Sequence, residues 1–225
     1  MRNLRIGLMV VLCVLWAGAV CADGKAHVPQ TGQVLCYNSA GAVITCAGTG
    51  QDGALQKGVD FPTPRFTDKG NGTIKDNLTG LIWLKRADCS GALRTWQQAL
   101  DDVAALNSTG QMSNNDCGDT SKKGTHQTDW RLPNIKELLS LVDYGFFQPA
   151  LSNPAGTAQA QCLPVIDCPF SFLIFPDLGL SYWSSTSRFI SPSEAWQLLL
   201  TEGNATPEKK TSTLGPGVLA VRGGS

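Results

Sequence analysis

Five residues in the second half of the chain carry the chemistry of a sugar site. Trp183 offers a flat aromatic face, Ser184 and Ser185 offer hydroxyls, and Arg131 and Arg188 offer planar guanidinium forks. Such a ring can stack on a sugar face while hydroxyls and guanidinium make directed hydrogen bonds. The competing use is structural. Trp83, Trp96, Trp130, Trp183 and Trp196 all fall in regular elements and are expected in the core, and Arg131 is placed to pair with Glu137. A second set, Asp68, Asn71 and Asp76 around Gly70 and Gly72, presents the oxygen ligands that calcium prefers. Its spacing is not that of an EF-hand, and Asn with Gly is also what a hairpin turn demands, so a turn is the favoured reading. Hydrolysis has little to work with: there is no GxSxG elbow, Ser184-Ser185 has no histidine nearby in sequence, and His126 lies in a polar loop. No catalytic residue, resident metal or cofactor is assigned.

The elements that must position these residues are short. Arg65-Phe66-Thr67-Asp68 and Thr73-Ile74-Lys75-Asp76 read as strands around a Gly-rich turn, followed by a turn at Asn77-Leu78-Thr79-Gly80 and the apolar strand Leu81 to Leu84. Thr95 with Gln98 is a capping box, and Trp96, Ala99, Leu100 and Val103 recur at helical spacing. Asp101-Asp102 on that helix belongs to its solvated face, since adjacent helical residues point apart. Trp130-Arg131-Leu132 reads as a strand stopped by Pro133. Asn134 with Glu137 then caps a second helix, with Ile135, Leu138, Leu139 and Val142 on its buried stripe and its end at Gly145. Residues 148–180 carry five prolines and form a long irregular excursion, after which strands at Tyr182 to Thr186, Ala195 to Leu200 and Val218 to Arg222 finish the domain. Two helices with several short antiparallel strands make an α+β domain over residues 64–225.

The first 22 residues read as an export signal, with Arg2 and Arg5 ahead of an apolar run from Leu8 to Val20 and cleavage before Asp23. The run falls short of the roughly 20 apolar residues of a transmembrane helix. Lipidation of Cys21 is the rival, disfavoured because Val20 stands where such a site takes a small residue. Export makes the chain periplasmic, secreted or cell-surface. It also leaves six cysteines in an oxidising compartment, where disulfides are expected over a metal site. Proximity suggests Cys36–Cys46, Cys89–Cys117 and Cys162–Cys168. The first would staple a hairpin from Val34 to Cys46 inside a flexible N-terminal extension, residues 23–63, whose Gly48 to Gly58 stretch reads as a linker. Loss of Arg2 and Arg5 from the 18 basic residues leaves 16 against 18 acidic ones, which argues against a nucleic-acid partner.

Three short motifs remain: Asp129-Trp130-Arg131-Leu132-Pro133-Asn134, Tyr182-Trp183-Ser184-Ser185-Thr186, and Val221-Arg222-Gly223-Gly224-Ser225. Together and in this order they resemble the Lcl C-terminal domain family, a bacterial domain of the C-type-lectin-like superfamily. The resemblance covers residues 65–225. It implies a C-type-lectin-like fold, with first and last strands paired and a long loop region carrying the ligand site. The family's named member is an adhesin whose domain binds sulfated polysaccharides, so a non-enzymatic module for glycans or surface polymers is expected. The near-neutral charge points away from the sulfated ligands. A protein-binding or structural envelope module is the alternative, and a divergent enzyme is a third. Formylglycine-generating enzymes share the superfamily and place a copper-binding cysteine pair between similar segments. Here Cys162 and Cys168 stand in a proline-rich loop unlike theirs. Calcium-dependent lectins of the superfamily use Glu-Pro-Asn with Trp-Asn-Asp, whereas Leu132-Pro133-Asn134 lacks the leading acid.

Overall fold

A computed structural model describes residues 28–162, 165–172 and 180–223. The proposed signal, the end of the third motif and part of the proline-rich excursion lie outside these residues. The fold is mixed α and β. Strands β1 (Cys36–Tyr37) and β2 (Val43–Ile44) pair in the N-terminal extension, and helix α1 (Asp52–Leu55) occupies the stretch expected as a linker. The extension is tethered: the Tyr144 amide donates to the Thr31 carbonyl at 2.7 Å, and Gln30 pairs with Val59.

The main domain opens with β3 (Phe66–Asp68), β4 (Thr73–Asp76) and β5 (Ile82–Leu84). With the final strand β13 (Val221–Arg222) they form an antiparallel sheet in the order β13-β5-β4-β3. The last strand therefore closes on β5, and the first strand, β3, is left at the far edge. That corrects the expected pairing of first with last. The hairpin turn at Gly72 is set by a close approach. Gly72 has φ +81°, and a Cβ there would overlap the Gly118 carbonyl.

Helix α2 (Trp96–Thr109) starts at the Thr95–Gln98 capping box and ends at Gly110 with φ +76°. Asp101 is exposed as expected, but Asp102 is buried, because Arg94 binds it at 2.6 Å and the Ser113 hydroxyl donates to it. The helix is followed by the small hairpin of β6 (Gln111–Met112) and β7 (Asn115–Asp116). Helix α3 (Ile135–Leu139) has the Asn134–Glu137 box but stops before the expected Gly145. Carbonyl and amide needed to extend it are committed elsewhere, Ser140 O to Arg65 at 2.6 Å and Tyr144 N to Thr31. The excursion holds one hairpin, β8 (Gln161–Cys162) with β9 (Val165–Asp167). The second sheet is β10 (Ser181–Ser187), β11 (Glu194–Leu199) and β12 (Asn204–Lys209). Strand β12 is polar and contains Pro207, which sits across from Trp196. Edge strands tolerate proline because their outer N–H needs no partner.

Two cores flank the seam between the sheets. One joins Ile74, Trp83, Leu138 and Leu198 to an aromatic file, Phe66–Phe170–Phe172–Tyr182, with successive ring centroids 5.8 Å apart. The other packs Leu84, Val103, Leu106 and Met112 around Trp130 and Trp183. The buried ion pair of Arg65 and Asp76, at 2.6 Å and almost without exposure, links the first sheet to the end of α3. Asp76 also accepts from Leu78 N and Thr79 Oγ1, and Arg65 lies 4.6 Å over the Phe66 ring. Removing either partner leaves a buried charge uncompensated, which typically costs 3–5 kcal/mol.

All six described cysteines are paired, as Cys36–Cys46, Cys89–Cys117 and Cys162–Cys168. Cys89–Cys117 lies wholly inside the second core and closes the longest loop, at a sequence separation of 28. Cys89→Ser or Cys117→Ser should cost about 2–4 kcal/mol and several degrees of melting temperature. Calorimetry of both variants checks this, and unchanged melting would remove the bridge from any stabilising role.

Candidate functional site

The three motifs converge on one seam. Arg131 and Val221 exchange backbone hydrogen bonds at 2.9 and 3.0 Å, joining the first motif to the third. Ser185 joins the second motif to the first, donating both its amide (2.7 Å) and its hydroxyl (3.2 Å) to the Pro133 carbonyl. Thr186 Oγ1 accepts from the Ile135 amide at the start of α3. The expected Trp130–Leu132 strand reduces to that one bridge. Its neighbouring positions are taken by a side chain, since Asn107 bonds both the amide and the carbonyl of Trp130 at 2.8 Å.

Within the seam each sugar-site candidate has an internal partner. Trp183 is fully buried and its Nε1 donates to the Arg94 carbonyl at 2.8 Å. Ser184 is fully buried and donates to the Trp196 carbonyl at 2.6 Å. Arg131 forks onto both oxygens of Glu137 at 2.6 and 2.7 Å and also donates to Gly223 O. Arg188 pairs with Glu194 at 2.6 Å, and Ser185 alone is exposed. Trp183 and Ser184 thus face the core, while Arg131 and Arg188 are partly exposed and Ser185 is open to solvent. Of the other tryptophans, Trp83 and Trp130 are buried, and Trp96 and Trp196 are half-buried.

The oxygen-ligand trio is likewise committed. Asp68 binds Lys85 at 2.6 Å and the Gly70 amide, Asp76 binds Arg65, and Asn71 Oδ1 accepts from Thr73 Oγ1. Each of the three is thus engaged by a protein partner, and among the described residues no group of three or more His, Cys, Asp or Glu could hold a metal ion.

A carboxylate outside every expected set organises the loop ahead of the seam. Asp119 is nearly buried and accepts four hydrogen bonds: from Ser121 N and Oγ, from Gln127 N, and from the Trp130 indole at 2.8 Å. Burial alone would raise its affinity for a proton, but the Ser121 hydroxyl, the two amides and the indole outweigh it and hold the carboxyl below its ordinary range. Glu137 behaves the same way. Burial pushes it up, and the Arg131 fork with the Asn134 amide brings it down further. Ser121 is a local partner, but the Gln127 and Trp130 donors that tie Asp119 to the seam lie 8 and 11 residues away, beyond a local reading of the sequence.

Where polar groups are not spent on the fold, aromatic surface stands open. Tyr144 is 48% and Phe147 60% exposed. The Tyr144 ring lies on Gly203, where a Cβ would sit 3.2 Å from its Cε1, and its hydroxyl donates to Gly203 O at 3.1 Å. The exposed Gln148 is anchored to the same β11–β12 turn through Thr201 O at 2.8 Å. Gln159 donates to the Phe147 and Pro149 carbonyls, fixing the backbone beneath. The sequence signal for this platform is the aromatic run Tyr144 to Phe147 directly after α3. It reads first as the end of a helix.

A disulfide-stapled α+β domain built on a three-motif seam is the class defined by this architecture. A model of the Lcl C-terminal domain matches residues 72–222, about two thirds of the chain, and the chain belongs to that family. Comparison with curated proteins gives no match.

The two lowered carboxyls fix a pH dependence. Their folded pKa values lie below the unfolded values of about 3.9 for Asp and 4.3 for Glu. Their contribution is therefore present above that range and lost as pH falls through the folded values. Asp143 runs the other way, raised chiefly by burial, so the test is a difference between proteins. Asp119→Asn should cost about 2 kcal/mol at pH 7 and flatten the fall in melting temperature below about pH 4. Parallel melting-versus-pH curves for the two proteins would refute this account.

Proposed function

We propose that this chain is a non-enzymatic binding module that works outside the cytoplasm and takes glycans or surface polymers. One observation carries the reading. Tyr144 and Phe147 are held half-exposed on a backbone pinned to the β11–β12 turn, with the exposed Gln148 next in sequence. A fixed aromatic face with neighbouring hydrogen-bonding groups suits a pyranose, because the ring needs no reordering to bind. Three disulfides fit an exported protein, and among the described residues no helix is long and apolar enough to cross a membrane. Family membership supports a binding role by resemblance only, and the near-neutral charge favours uncharged over sulfated glycans.

A protein-binding module without sugar affinity is the second reading. The open apolar side chains of the N-terminal extension, Val34, Leu35, Val43 and Leu55, favour it. A glycan array probed with the exported protein separates the two. Binding to a defined set of sugars, lost about tenfold or more in Tyr144→Ala/Phe147→Ala, is the expected result. Absence of any sugar signal would sink the glycan reading, and equal binding by the double variant would move the site elsewhere.

A further inference from the structure

The loop joining β10 to β11 is an ordered, protruding tip capped by two large apolar side chains. Phe189 is 96% and Ile190 76% exposed, so the pair contributes nothing to either core. Their loop is nonetheless held firmly. Arg188 N donates to Glu194 O at 2.9 Å, Ser191 N to Arg188 O at 3.2 Å, and Glu194 N to Ser191 O at 2.9 Å. The Arg188–Glu194 ion pair closes its neck. Behind the neck stand Lys209, which pairs across the strands with Glu194, and Lys210. Lys210 N donates to Ser193 O at 2.9 Å, and its ammonium reaches Ser187 Oγ at 2.6 Å while lying 4.1 Å over the Trp96 ring. Arg188 and Glu194 neutralise each other. Two lysines remain against one acid, Glu208, whose Oε1 is turned back on the Lys209 amide.

A tip of this shape selects its partner. A stable protein interface buries about 800 Å² on each side, whereas one aromatic side chain supplies only about 150–250 Å². Two side chains on a convex turn cannot fill such an interface. A lipid bilayer closes around whatever protrudes into it, and an apolar tip with lysines set back from it matches acyl chains beneath anionic headgroups. We infer that Phe189 and Ile190 insert into an anionic lipid surface, with Lys209 and Lys210 at the level of the headgroups. This site is separate from the Tyr144 platform, which lies at the opposite end of β11.

The test is co-sedimentation of the exported protein, its processed N-terminus checked by mass, with vesicles of phosphatidylcholine alone or mixed with phosphatidylglycerol. Binding to the mixed vesicles should weaken with added salt. Phe189→Ser/Ile190→Ser should reduce the partition coefficient at least tenfold without moving the melting temperature, since neither side chain is packed. Lys209→Gln/Lys210→Gln should lower binding severalfold on mixed vesicles and leave neutral ones unaffected. The inference is overturned by wild-type protein that ignores both vesicles, or by a Ser double variant that binds as well as wild type. It is also overturned if wild-type protein self-associates through Phe189 and Ile190 in sedimentation velocity and shows no lipid binding.

Discussion

The reciprocal pairing of Arg131 with Val221 is the contact on which the rest of the domain depends. It brings the last described strand back against a segment whose other side is already held by Ser185 on the Pro133 carbonyl. Neither sheet can shift without breaking one of these bonds. The residue types follow from the position. Arg131 has the planar fork that answers both Glu137 oxygens and still reaches Gly223. Pro133 offers a carbonyl and has no amide to leave unpaired. Asn134 supplies the oxygen that caps α3, accepting from Lys136 and Glu137. Next to Val221 in the same strand, Arg222 reaches Asp129 at 2.8 and 3.0 Å. The motifs that mark the family are thus the seam of its fold.

Much of the frame was legible because its signals are local. Both capping boxes were readable three residues at a time, and the disulfides followed from neighbouring cysteines. What escaped was decided at long range. Strand β12 carries Pro207 and little apolar character, and it pairs because β11 presents a complementary edge. Helix α3 is cut short by Arg65, 75 residues away, taking the carbonyl its next turn would use. Asn107 displaces a strand partner at Trp130 by bonding both its backbone groups. No window of sequence contains both halves of such a competition.

The same distinction separates frame from ligand surface. Trp183, Ser184 and Arg131 have the chemistry of a binding site, and the fold spends that chemistry internally. Burial without a partner costs a polar group free energy, so Trp183 and Ser184 each take a carbonyl, whereas the fully buried Trp83 indole N–H is left without one among the described residues. Trp183 finds Arg94 O and Ser184 finds Trp196 O. The residues left with unspent surface are the ones pattern reading ranks lowest: aromatics after a helix end, and a loop between two strands.

Those two surfaces sit at opposite ends of β11. Its six residues, Glu194 to Leu199, run from the neck of the Phe189–Ile190 tip to the turn that carries Tyr144 and Gln148. At about 3.3 Å per residue the separation is about 20 Å. A strand hydrogen-bonded on both sides is stiff over that distance, since β10 and β12 each pair along it. Contact at one end would therefore fix the direction in which the other end faces. A lipid-anchored tip would hold the Tyr144 end of β11 away from the bilayer. The arrangement needs no conformational change, because both side-chain sets are already presented by hydrogen-bonded backbone.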